Sequence, residues 1–308
     1  MRHRIRLPEH LGETFNLKEA AAAGVGRSRR DAPDLHRPFH GIRSANAPRT
    51  FAEQMDCHRP RLKPHQRYVG TTAARLWGLP YPKAWSEKDP VEVAVALDRT
   101  PPKAVGVKGR RLSLDRAQTW KVAGVAVVDP VAALLTCADA LTVGEAVVMI
   151  DALLTSASDY PDRRAGLPLV GAAEISERLD IWRTFPGSRT IRSALPLARA
   201  NVESPKETET RLLIIGAGLP EPVVQHKVFD RRRFIARIDL AYPELKIAIE
   251  YEGDGHRTSK EQWRRDIQRQ RDLEDRGWIV IRLTQQDLGS GSGPFLSRLR
   301  RAILARTA

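Results

Sequence analysis

Residues 237–257 read RIDLAYPELKIAIEYEGDGHR. Two apolar runs are joined by a Pro-Glu turn, and a dense group of acids, glycines and a histidine follows the second. The segments FIARIDLAY (234–242) and LKIAIEY (245–251) have the length and β-branched content of strands. If they pair antiparallel around a four-residue loop, Pro243–Lys246, Tyr242 faces Ile247, Leu240 faces Ile249 and Ile238 faces Tyr251, which gives one apolar face. The other face then sets Asp239 against Glu250, with Cβ atoms about 5 Å apart, and Arg237 against Glu252. Facing like charges cost only about 0.2–1 kcal/mol on a solvated sheet, so their opposition alone does not require a metal. It does favour a cation. Mg²⁺ takes one or two carboxylates together with a carbonyl and waters, and Asp239, Glu250 and the Tyr251 carbonyl make such a set.

Flanking signals extend this hairpin into an α/β unit. Upstream, Ser204-Pro205-Lys206-Glu207 combines a Ser cap, Pro at the first helical position and Glu at the third. The helix it starts runs through Arg211 and is closed by Gly218 and Pro220. PVVQHKVF (222–229) is a further strand. Downstream, SKEQWRRDIQRQRDLEDRG (259–277) has Trp263, Ile267 and Leu273 near helical spacing, and WIVIRLT (278–284) is a strand. The expected order is helix, three strands, helix, strand, helix, a mixed sheet flanked by helices.

The remaining chain reads as two earlier segments. In 66–200, GTTAARLWGLP predicts a helix ended by Gly78 and Pro80, VEVAVAL alternates with strand period, and VAGVAVVDP is a strand leading to a helix capped by Asp129 with Pro130 at its first position. Thr142-Val-Gly-Glu145 is a capping box. In 1–65, an Ala-rich helix over about 17–23, a Gly-Val-Gly turn and a second helical turn opened by Arg27, Arg29 and Arg30 suggest a helix-turn-helix, with HRPFHGIRS (36–44) as a short strand. Pro33 would cost about 3 kcal/mol inside a recognition helix, so the second helix must be short or start late. The three arginines either read DNA or form the solvated face of a small helical cap.

Bulk properties agree with a polyanionic partner. The 308 residues carry 51 Lys+Arg against 37 Asp+Glu, a formal net charge of +14, and the resulting field attracts nucleic acid. Cys57 and Cys137 are the two cysteines, too far apart for a zinc-type spacing, which fits a reducing cytoplasm. The longest apolar region, 127–154, is interrupted by Asp129, Pro130, Asp139, Glu145 and Asp151, and the N-terminus has no apolar signal core; no membrane segment is expected.

The stretches SPKE with GLPEP, RIDLAYPELKIAIEYEGDGHR, RRD (264–266) and GWIVIRLT together resemble the Vsr-like (very short patch repair) branch of the PD-(D/E)XK restriction-endonuclease-like superfamily, over about residues 203–288. TTAARLWGLP and VVDPVAALL give roughly residues 11–160 a similarity to AbiEi-type antitoxins and transcription factors. The fold class implied is a multidomain α/β protein: a basic helix-turn-helix or winged-helix-like domain over 1–65, a mixed α/β AbiEi-like domain over 66–200 and a restriction-endonuclease-like α/β core over 201–308. The first resemblance implies Asp239 and Glu250 as ligands of Mg²⁺, with Mn²⁺ as its substitute, Glu207 as an acid brought in from the first helix, and His256 as a general base or acid at the scissile phosphate. In the superfamily, Asp is followed by Glu-X-Lys; here Glu252 stands in the lysine position. A second cation, His256, or a helix arginine such as Arg265 or Arg269 compensates, or the site is inactive.

Each of these residues also has a structural reading. Glu207 completes a capping box, Glu252 pairs with Arg237, Asp254 belongs to a Gly-Asp-Gly turn, His256 is an exposed loop histidine, and Asp266 holds a helix arginine. Arg231, Arg232 and Arg233 at a hairpin tip are either a solvated turn or contacts to backbone phosphates. The leading expectation is a metal-dependent, cytoplasmic DNA endonuclease, a nicking mode included, placed by its N-terminal domains. The alternative is a DNA-binding regulator or antitoxin-like protein that keeps the nuclease fold without cleavage; RNA is a third substrate reading. A protein partner in a defence or toxin–antitoxin-like system follows from the second resemblance.

Overall fold

A computed structural model describes residues 6–156, 160, 170–253 and 260–307. The chain is a mixed α/β protein made of two compact units, Met1–Ala140 with Arg178–Ser188, and Leu141–Glu177 with Arg189–Ala308.

The first unit opens with β1 (Thr14–Asn16), α1 (Leu17–Ala22), α2 (Arg27–Arg30) and β2 (Ile42–Ser44). Asn16 starts α1 by accepting from the Lys18 and Glu19 amides, and Glu19 returns to the Asn16 amide, so three otherwise orphaned donors are satisfied together. β1 and β2 pair antiparallel over a small core of Phe15, Ala20, Val25 and Leu35. α2 is a single turn, as Pro33 requires.

After α3 (Phe51–His58) come β3 (Arg67–Tyr68), α4 (Gly70–Trp77), β4 (Val91–Val95), β5 (Lys103–Ala104), β6 (Val107–Arg111), β7 (Thr119–Val122), β8 (Val125–Val128) and α5 (Pro130–Cys137). The strands form one sheet in the order β5-β6-β4-β3-β8-β7. Gly78 ends α4 in the left-handed region at φ 69°, and Asp129 caps α5 by accepting from the Ala132 amide at 2.9 Å. β4 differs from the one-sided pattern its alternation suggests. It lies between β6 and β3 and all five of its residues are buried, including Glu92, which is neutralised by Arg110 at 2.5 Å and Lys108 at 3.4 Å.

α6 (Val143–Leu154), α7 (Ala172–Trp182) and α8 (Ser188–Ala194) follow, α6 starting at the Thr142–Glu145 capping box. In the second unit α9 (Pro205–Gly216), β9 (Val223–Asp230), β10 (Arg233–Tyr242), β11 (Ile247–Tyr251), α10 (Lys260–Glu274), β12 (Ile279–Leu283) and α11 (Ser292–Thr307) follow in the order expected from the sequence. The sheet runs β12-β11-β10-β9. β9, β10 and β11 are antiparallel in turn, whereas β11 and β12 are parallel, a connection that needs a crossover, here α10. The β10–β11 register pairs Leu240 with Ile249 and Tyr242 with Ile247, as the Pro243 turn predicts. Lys246 leaves the turn at φ 49°.

Helices cover both sheet faces. Leu240, Tyr242, Ile247, Ile249 and Leu283 pack with Ile214 of α9 and Phe295 and Leu299 of α11. On the other side Ala241, Ala248 and Ile238 pack with Leu273 of α10 and Trp278, so Ile238 joins this cluster and not the one containing Leu240. α6 also packs on α9. Fully buried Asp151 accepts from Arg211 at 2.9 Å, from Thr208 at 2.8 Å and from the Arg199 amide at 2.7 Å. Removing one partner of such a buried pair costs about 3–5 kcal/mol, because the other charge is left without compensation. No helix among the described residues is long and apolar enough to cross a membrane.

Candidate acidic site

The β10–β11 register, carried one residue beyond the Leu240–Ile249 pair, sets Asp239 opposite Glu250. On this face the next pair along is Ala241 with Ala248, and their small side chains let α10 approach through Leu273. Arg269 lies four residues before Leu273, on the same face of the helix. It therefore reaches the acids, its guanidinium donating to Glu250 Oε2 at 3.0 Å. One hydrophobic contact thus places the cation on the site. Among the basic residues named from the sequence as replacements for a lysine, Arg269 is on the acid pair and Arg265 is exposed.

Glu250 is 5% exposed, and its second oxygen, Oε1, is buried without a hydrogen-bond partner among the described residues. Asp239 accepts from the Tyr251 amide through Oδ2 at 3.3 Å. The Asp239 carboxyl is pushed up to about 7, first by burial, then by Glu207 and Glu250; the Tyr251 amide and Arg269 act in the opposite direction. Burial likewise raises Glu250, against Arg269 and Arg282.

Glu207 is brought to Asp239 by α9, whose cap it helps to form. Its amide donates to Ser204 Oγ at 3.3 Å, and its Oε1 accepts from the Ser204 hydroxyl at 2.9 Å. Oε2 accepts from the Glu203 amide at 3.1 Å and from Gln225 Nε2 at 2.7 Å. Burial raises its pKa and these donors oppose the shift. The capping and site readings of Glu207 therefore describe one and the same placement.

Arg237 pairs with Glu203 at 2.5 Å, and Glu252 with Arg282. The β11–β12 register accounts for the second pair, since Arg282 stands beside Glu250 on the neighbouring strand. The Arg237–Glu252 pair expected from the hairpin alone is replaced by two pairs to elements the hairpin does not contain. Tyr251 also donates its hydroxyl to Gln285 at 3.4 Å. Asp254 and His256 lie outside the described residues. Among the described residues no group of three or more His, Cys, Asp or Glu is arranged to hold a metal ion.

The basic residues divide by environment. Arg231, Arg232 and Arg233 are exposed at the tip of the β9–β10 hairpin, Arg231 at φ 53°. Arg27 is 90% exposed beside Asp31. Arg29 is turned inward to Asp34 at 3.0 Å, and Arg30 donates to the Leu17 carbonyl at 3.0 Å.

Gln225, Glu203 and Arg282 join the site without having been singled out in the sequence. Gln225 stands opposite Asp239 between the pairs Ile238–His226 and Leu240–Val224, and its φ is 50°. A left-handed residue other than glycine costs about 1–3 kcal/mol. Its Oε1 is buried and has no hydrogen-bond partner among the described residues, a second unfavourable feature of about the same size.

No protein-family model matches the chain. The uncharacterized proteins MT2308 and Rv2248 of Mycobacterium tuberculosis, from strains CDC 1551 / Oshkosh and ATCC 25618 / H37Rv, are each 30% identical to it over 129 residues, which is 42% of this chain and 48% of theirs. The chain thus spans about half the length of the curated relatives it matches. The crystal structure of the RV2827C protein from Mycobacterium tuberculosis aligns with 73% of this chain and 90% of its own, at 14% identity and a TM-score of 0.35.

Proposed function

We propose that the chain is a metal-dependent DNA endonuclease whose phosphodiester-cleaving site is the Asp239–Glu250 pair, within a Vsr-like, restriction-endonuclease-like core. The observation that carries the reading is the pair itself: the β10–β11 register, continued one residue past Leu240–Ile249, sets two carboxylates opposite each other, and one buried oxygen, Glu250 Oε1, has no donor among the described residues.

The residues fit a hard cation. Mg²⁺ needs only one or two carboxylates besides waters and substrate phosphate, so Asp239 and Glu250 suffice without a third acid, with the Tyr251 carbonyl as the neutral member. When bound, the ion supplies positive charge against the negative charge that develops on the phosphate. The chain's own residues do the rest. Asp239 and Glu250 hold oxygens toward the phosphate, and Glu207 stays hydrogen-bonded beside them. Arg269, at 3.0 Å from Glu250, brings positive charge where the superfamily has lysine, because Glu252 in that position is committed to Arg282. The exposed Arg231–Arg233 tip, and Arg27 in the first unit, are the contacts to backbone phosphates, and His256 remains the candidate general base or acid.

Incubating the purified protein with plasmid DNA and Mg²⁺ or Mn²⁺ tests this reading. Nicking or linearisation that Asp239→Ala and Glu250→Ala each abolish is the expected result. The commitment of Glu252 to Arg282 favours a second reading, a DNA-binding regulator of nuclease fold that does not cleave. Salt-sensitive binding with no cleavage in any metal would establish that one and overturn the first.

A further inference from the structure

We infer that Gln225 is a positioning residue that fixes the number of carboxylates open to a cation at two, by holding Glu207 in a closed set of hydrogen bonds. The inference rests on reading Asp239 and Glu250 as the cation site.

Three independent features single out Gln225. It occupies the β9 position opposite Asp239, so the strand presents it to the acid face. Its backbone is left-handed at φ 50°, a region in which Gln has no intrinsic preference, unlike Asn, Asp or Gly. Its amide donates to Glu207 Oε2 at 2.7 Å while its own Oε1 is buried with no partner among the described residues. A residue that carries both backbone strain and an unsatisfied buried oxygen is kept where the surrounding structure over-determines it, and such positions gather at functional sites.

What the contact achieves follows from the valence of Glu207. Oε1 is taken by the Ser204 hydroxyl and Oε2 by the Glu203 amide and Gln225. Both oxygens are therefore engaged by donors from the chain, although the same carboxylate is near enough to raise Asp239. Without the Gln225 donor, Oε2 keeps only the 3.1 Å bond from the Glu203 amide. With the shortest of its three donor bonds gone and only the Ser204 hydroxyl and the Glu203 amide left to hold it, Glu207 turns more readily toward Asp239 and serves as a third acid. A third carboxylate raises affinity for divalent ions, and most for those that accept larger, more flexible ligand sets, Mn²⁺ and Ca²⁺ over Mg²⁺.

The test uses the full chain with Gln225→Gly, which relaxes the left-handed backbone and so favours folding, and Gln225→Asn, which also tolerates that backbone but is too short to reach Glu207 in the same way. Mn²⁺ and Ca²⁺ binding is measured calorimetrically with the metal alone, and the variant's crystal structure is determined. Both variants are expected to bind Mn²⁺ about tenfold more tightly than the wild type, with Glu207 turned out of its Ser204–Glu203 bonds, and adding Glu207→Gln is expected to return the affinity to the wild-type value. Glu207 unmoved in the variant crystal overturns the inference whatever the metal does. Unchanged or weaker Mn²⁺ binding in both variants overturns it as well where the wild type binds. A wild type that binds neither ion instead removes the cation reading of Asp239 and Glu250, while the position of Glu207 in the crystal still decides the role of Gln225.

Discussion

At Asp239 the proposed chemistry and the stability of the second unit meet. Its carboxyl titrates near about 7 in the folded chain, against about 3.9 when unfolded. Between those values the native state holds a proton that the unfolded state has released, so stability falls as the pH rises from about 4 to about 7. Asp239→Asn, which cannot ionise, is expected to flatten this part of the profile and to raise the melting temperature at pH 8 relative to the wild type. Thermal unfolding across pH 4–8 reads this directly, and a variant curve parallel to the wild type would refute it. Much of this residue scale was legible beforehand. The Pro243 turn dictates the register, and the register dictates that Asp239 meets Glu250. The partner of Arg237 was not legible, because Glu203 lies 34 residues away and only the docking of α9 brings them together. Gln225 carried no signal either, since a left-handed glutamine in a strand looks like any other polar strand residue.

The elements were more readable than their contacts. Caps at Asp129, Thr142 and Ser204 start α5, α6 and α9 as expected, because a cap is a local hydrogen bond set by three or four residues. β4 forms where the alternation of VEVAVAL places a strand, and its burial on both faces is set by elements remote in sequence. The β9–β10 hairpin makes an expectation at this scale. Its tip carries Arg231, Arg232 and Arg233, all exposed, and each phosphate neutralised contributes about 0.9 to the slope of log K against log salt. Replacing all three by alanine is expected to lower that slope by about 3 and to weaken binding about equally for unrelated DNA sequences. Fluorescence anisotropy over a salt series measures it; an unchanged slope would assign the arginines to solvent.

At the scale of the whole chain, the second compact unit starts at Leu141, whereas the sequence reading draws its last domain boundary between residues 200 and 201. The link is Asp151 on α6 with Arg211 on α9, both fully buried. Their sequence separation of 60 hides the pair from any local reading. The parallel pairing of β11 with β12 also sets an order of events in time. The β10–β11 hairpin closes around a short turn, so Asp239 and Glu250 are pressed together early, at small loop-closure entropy. Arg269 arrives only when α10 completes the crossover, 19 residues beyond Glu250. On this order the acid pair is expected to act as a kinetic brake, and the arginine as a late latch. Asp239→Asn is expected to speed refolding, and Arg269→Ala to leave refolding unchanged while accelerating unfolding, in stopped-flow chevrons followed by tryptophan fluorescence. Equal effects on both limbs would show that hairpin and helix assemble together. If the latch closes last, it also opens first, and Glu250 loses its counter-charge before the sheet that carries it comes apart.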